Sequence, residues 1–128
     1  MIKIKLDNRT IIPLINKSIL ILPSGSNTNN IVNNEDDYDV IIIIAGNDRT
    51  INIELHQPAI IIVQDEFRTV VNVTGGMALP ISQVVFIGGD NNQVNGLITQ
   101  NSGRIISSNG SEFDISNIAD LGRITISR

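Results

Sequence analysis

The chain has 128 residues and a formal net charge of −4. That length suits one domain able to bury a core without staples, and the absence of cysteine excludes disulfides, thiolate metal sites and thiol catalysis. The acidic balance and an aromatic content of 3% argue against a nucleic-acid surface, which combines basic groups with stacking rings.

In chain order, residues 2–6 alternate Ile2, Ile4 and Leu6 with Lys3 and Lys5, the period of a strand with one buried face. A secretory leader would instead carry an apolar stretch of about 7–15 residues. No apolar run approaches the roughly 18 residues of a membrane helix. The expectation is a protein made in the cytoplasm without a signal peptide, with no membrane partner. Residues 18–22 form a second strand, closed by Pro23, which cannot continue a central ladder. Residues 23–34 are rich in Ser, Gly and Asn and read as a long exposed loop, a candidate contact arm.

The run Glu35-Asp36-Asp37-Tyr38-Asp39 is acidic, whereas the first segment carries Lys3, Lys5, Arg9 and Lys17. Opposite patches of this kind can orient neighbouring copies. Asp36, Asp37 and Asp39 are a weak candidate Ca²⁺ site, because hard cations take several carboxylate oxygens. Their spacing lacks the alternating Asx, the glycine and the distal Glu of a helical calcium loop. A solvated acidic loop is the preferred reading, and no metal or other cofactor is expected.

Residues 39–44 form a strand ending in the turn signal Ala45-Gly46-Asn47-Asp48. Residues 50–55 alternate Ile51, Ile53 and Leu55 with Asn52 and Glu54, so one face should meet water. Residues 59–63 are apolar on both faces. They form a central strand or one covered by another subunit, which makes Ile60, Ile61 and Ile62 interface candidates. Strands follow at 67–73 and 81–87. Thr74-Gly75-Gly76 and Gly88-Gly89-Asp90 read as hairpin turns, since neither carries the Gly-Lys-Ser/Thr ending of a phosphate loop. The aromatics Tyr38, Phe67, Phe86 and Phe113 fall mostly on core phases.

Short strands at this spacing predict an all-β fold, an antiparallel β-sandwich or barrel of jelly-roll type, over residues 1–93. Residues 94–128 read as a Gly/Asn/Ser-rich β segment of the same domain. Gly96, Gly103 and Gly110 stand seven apart, and the run beginning Gly103-Arg104-Ile105 is echoed by Gly122-Arg123-Ile124. Such echoes resemble rungs of fibrous or solenoid β structure. A solenoid needs about three repeats, so ordinary hairpins are preferred here. Arg104, Ile105 and Arg123 join the interface candidates. Ile115, Ile118 and Leu121 stand three apart, a spacing that admits one helical turn.

His56 is the single histidine, and no Gly-x-Ser-x-Gly elbow occurs, so no catalytic residue is assigned and no enzyme is expected. The expected function is structural: a virion accessory component such as a bacteriophage capsid decoration, head-fibre or tail protein. Its partners would be copies of itself, a trimer for example, and a capsid or tail lattice. The alternative is a carbohydrate- or cell-surface-binding β-sandwich whose loops 23–34 and 88–95 meet sugar hydroxyls.

Overall fold

The computed structural model describes residues 17–33, 38–75 and 83–96, together with the backbones of four outlying strands. The strands in chain order are β1 (Lys3–Leu6), β2 (Ile19–Leu22), β3 (Asn29–Asn33), β4 (Val40–Ile44), β5 (Thr50–Glu54) and β6 (Ile60–Gln64). They continue with β7 (Val70–Thr74), β8 (Gln83–Ile87), β9 (Gln93–Asn95), β10 (Arg104–Ile106), β11 (Ser111–Asp114) and β12 (Ile124–Ile126).

The pairing is not that of a sandwich or barrel. One six-stranded sheet runs β10-β8-β6-β4-β2-β12 and one four-stranded sheet runs β3-β5-β7-β9. Every pair in both is parallel. Only the separate β1–β11 ladder, among the described strands, is antiparallel. The molecule is a β-solenoid of about three turns, which corrects the antiparallel sandwich or barrel expected from the sequence. Parallel neighbours cannot be joined by a tight turn and need a return path of a dozen or more residues. Here the second sheet is that path: the chain leaves β2, crosses as β3 and comes back as β4 beside β2. Residues 23–34, expected as a loop, therefore contain β3. The glycine clusters at residues 74–76 and 88–90 do not close hairpins, because β7 and β8 lie in different sheets, as do β8 and β9.

From β2 to β9 the rungs stack in register, with coil-to-coil partners 20 to 23 residues apart in the chain. Leu20, Ile41, Ile61 and Val84 form one interior column. Ile51, Val71 and Val94 form a column on the facing sheet. These side chains, with Leu22, Ile43, Val63 and Ile53, make the core between the two sheets.

The two sheets differ in what lies on their other side. On the six-stranded sheet Ile19, Ile21, Val40, Ile42, Ile62, Val85 and Ile87 are buried too. A parallel sheet covered on both faces reads as a continuous aliphatic run, which accounts for isoleucine at every position from 41 to 44. On the four-stranded sheet the alternate residues Asn29, Ile31, Glu54, Thr74 and Asn95 are exposed. β10 and β12 add to opposite ends of the six-stranded sheet.

Truncating Ile61, which is fully buried, should separate from truncating Ile31, which is 83% exposed. Ile61→Ala is expected to cost about 2–5 kcal/mol through lost transfer energy and a cavity. Ile31→Ala is expected to stay within about 0.5 kcal/mol of wild type when both are compared at concentrations low enough for the protomer to be monomeric. Urea denaturation of both variants checks the placement of these two residues on opposite sides of the wall.

Candidate functional site

Side-chain chemistry gathers at the corners that carry the chain from the first sheet to the second, at residues 24–28, 45–49, 65–69 and 88–92. The corners are themselves hydrogen-bonded from coil to coil. Asn47 N–H donates to Gly25 O at 2.9 Å, Phe67 N–H to Gly46 O at 3.0 Å and Asp90 N–H to Glu66 O at 3.1 Å. The corner bend is made by left-handed residues. Asn27, Asp48, Arg68 and Asn91 have φ of 54°, 51°, 54° and 55°, and earlier in the bend Ala45, Asp65 and Gly88 have φ of 59°, 49° and 65°. Asn, Asp and Gly tolerate this region, which is why the corners carry the residues that also mark hairpins.

Arg68 gains nothing from a left-handed backbone, but its guanidinium meets Asp48 of the preceding coil. Nε donates to Oδ1 at 2.7 Å and Nη2 to Oδ2 at 3.1 Å. That hydrogen-bonded contact holds the Asp48 carboxyl below its ordinary value, against a smaller opposing effect of desolvation, and raises Arg68. Both groups are well exposed, so the pair contributes little energy in water.

The second ion pair is buried. Position by position the corners read Gly25, Gly46, Glu66 and Gly89, so one coil replaces glycine with a carboxylate. Glu66 is 0% exposed and Arg49 is 3% exposed. Arg49 Nε donates to Glu66 Oε1 at 2.9 Å and Nη2 to Oε2 at 2.8 Å, a two-point fork. Thr69 Oγ1 donates to Oε1 at 3.0 Å, and the Gly46 N–H donates to Oε2. The remaining guanidinium nitrogen, Nη1, reaches Pro23 O at 2.8 Å. Asn92 closes the set, donating to Glu66 O at 2.9 Å and accepting from Thr69 N–H at 3.0 Å. Gly46 has to be glycine for steric reasons: a Cβ there would stand 2.6 Å from Arg49 Cζ.

Outside the corner, asparagines run up the exposed sheet. Asn52 Nδ2 donates to Asn29 Oδ1 at 3.0 Å, Asn72 to Asn52 at 3.1 Å and Asn95 to Asn72 at 2.8 Å. The sequence carries this as Asn at 52, 72 and 95, a spacing that only coil registration makes meaningful.

The residues singled out from sequence are scattered. Asp39 accepts from Ser18 N–H at 3.1 Å and from Gln57 Nε2 at 3.4 Å; Asp36, Asp37 and Arg123 lie outside the described residues. Ile61 and Ile62 are buried within the protomer and Ile60 is half-buried. Arg104 and Ile105 lie on β10. His56 is exposed, its Nε2–H donating to Asn33 Oδ1 at 2.7 Å. Among the described residues no group of three His, Asp or Glu is placed to hold a metal ion. Phe67, one of four aromatics expected mostly on core phases, is 43% exposed at the corner.

The corner pair escaped sequence reading because Arg49 and Glu66 become neighbours only in this register. The repeated Arg-Thr dipeptide misleads: Thr50 pairs with Val70 rather than with Thr69. Superposing the corners would have exposed Glu66 as the odd residue among glycines. Comparison of the chain with protein-family models, with curated proteins and with solved structures finds no match.

Removing one member of the buried pair leaves the other charge unpaired. Arg49→Met is therefore expected to cost about 3–5 kcal/mol in urea denaturation, and adding Glu66→Leu should recover much of that loss. The Asp48 carboxyl is lowered in the folded state. Its contribution is thus complete above the ordinary carboxylate range and is lost as pH falls through the lowered native value. Asp48→Asn keeps the left-handed tolerance and the size, so its stability should lose this acid-side dependence and match wild type once the carboxyl is protonated. Thermal melts across an acid pH series check the sign.

Proposed function

We propose that the chain is a non-enzymatic structural protein, a preformed β-solenoid that takes its place in a larger assembly such as the accessory layer of a virion. One observation carries this reading. The buried ionic chemistry of the described coils, Arg49 with Glu66, is spent on holding one coil to the next. A buried pair whose acceptors and donors are all engaged orients no reactant and offers no proton. The exposed ion pair, Asp48 with Arg68, likewise joins adjacent coils.

The mode of assembly follows from what each sheet leaves uncovered. The aliphatic wall of β2, β4, β6 and β8 is buried within the protomer, so association runs through the other sheet. Its outward face is polar and laddered by asparagines, and Ile31 stands on it at 83% exposure. An aliphatic side chain this exposed, standing opposite Asn52 at the start of the asparagine row, is a natural contact for a like copy or for a lattice protein.

Light scattering on the purified chain tests the reading. A homo-oligomer is expected, and Ile31→Asp is expected to shift it toward monomer with unchanged circular dichroism. A wild-type chain that stays monomeric at high concentration, or an oligomer indifferent to Ile31→Asp, removes the support for this face.

A further inference from the structure

Beyond assembly, the corner carries a depression that the coil-to-coil bonding does not explain. It has a volume of about 440 Å³ and is lined by Ser24, Ser26, Asn47, Asp65 and Phe67 with the backbone of their neighbours. We propose that this depression binds a neutral saccharide, with Phe67 as the platform for one face of a sugar ring.

Two separate observations point to a ligand. The first is Phe67. In a chain with 3% aromatic residues it stands 43% exposed at a turn, where it forgoes the burial that stabilises aromatic side chains. Its main chain is fully used, bridging Asn47 on one side and Asp90 on the other, so the backbone that carries the ring is fixed by the ladder while the side chain stays partly in solvent. The second is Asn47. Its Oδ1 is buried with no hydrogen-bond partner, and a buried acceptor left unpaired costs about 1–3 kcal/mol. Its amide belongs to the wall of the same depression. The oxygen is closed off from solvent as it stands, so a donor in the depression reaches it when the amide turns about its soft terminal torsion.

The chemistry of the wall selects the ligand class. An aromatic face wants apolar C–H surface, and the rest of the wall offers hydroxyls from Ser24 and Ser26, an amide and one carboxylate. A sugar ring presents an apolar face and a rim of hydroxyls that both donate and accept. The depression is open to solvent rather than enclosed, so it would take one face of a sugar ring and leave the other in water. A cation is the competing occupant, since ring faces and carboxylates attract it. Against that, the Arg49 guanidinium lies immediately behind Gly46 in this wall, and most of the polar lining is neutral. The bend is also rigid: Ala45 and Asp65 hold left-handed φ of 59° and 49°, so little ordering is left for a ligand to impose.

The test is titration of the full chain, followed by amide chemical shifts, with glucose, galactose, mannose, N-acetylglucosamine and cellobiose. At least one sugar should move the Asn47 and Phe67 amides with millimolar affinity. Phe67→Ala should weaken that binding about tenfold or more, equivalent to about 1.4 kcal/mol. Asp65→Asn, which keeps a residue tolerant of the left-handed backbone, should weaken it as well. It carries the test if Phe67→Ala loses the dispersed spectrum of the folded chain. Choline chloride serves as the cation probe. The proposal is overturned if none of the sugars moves these amides, if both variants bind as wild type does, or if choline alone moves them. None of these outcomes depends on the oligomeric state.

Discussion

A coil of this molecule cannot satisfy itself. The strands of the two main sheets never pair with the next strand along the chain; from β2 to β10 each finds its partner a turn of the solenoid away, and β12 returns from far along the chain to pair with β2. Unpaired buried N–H and C=O groups are costly, and one coil alone has no second layer to cover its isoleucines. Each coil is therefore stable only on its neighbours, and the stack behaves as a one-dimensional array whose energy resides in the contacts between turns. Native contacts of this range close long loops before they reward the chain, so such a topology folds slowly compared with a hairpin protein.

That dependence makes register the critical variable. Isoleucine on isoleucine is a poor register mark, because sliding Ile41–Ile44 against Ile60–Val63 by two residues still sets branched aliphatics side by side. Polar groups supply the marks instead. Asn52, Asn72 and Asn95 stand directly opposite one another and hydrogen-bond side chain to side chain in the register found. The fork between Arg49 and Glu66, with Pro23 O, Gly46 N–H and Thr69 around it, ties three successive coils at one corner. Buried pairs are weak contributors to net stability but severe penalties when mismatched. Here a slip would strand two buried charges without their partners.

The corners connect the fold to its surface. Their left-handed residues put the ladder's own backbone strain where polar side chains emerge, and they leave Phe67 at the outside of a bend whose main chain is fully bonded. A solenoid thus separates tasks spatially. Its walls hold the stack, the asparagine row runs along a face open to solvent, and the corner offers a small concave feature fixed by the coils above and below.

Sequence alone determined that this chain is all-β, and it placed the strands closely. Residues 18–22, 39–44, 50–55, 59–63 and 81–87 were legible from branched aliphatics, and the structure has Ile19–Leu22, Val40–Ile44, Thr50–Glu54, Ile60–Gln64 and Gln83–Ile87. The alternation of Ile51 and Ile53 with Asn52 likewise announced one wet face. Direction and partner were decided only by the tertiary structure. A run of isoleucine is equally apolar beside a parallel or an antiparallel neighbour, and Gly, Asn and Asp serve a left-handed corner as readily as a hairpin. The one local hint, isoleucine at successive positions where a half-exposed strand would alternate, acquires its meaning only once both faces of the sheet are seen to be covered. The corner site lay further out of reach, because Arg49, Glu66 and Phe67 belong to different coils, and their meeting follows from the number of residues each turn consumes rather than from any local pattern.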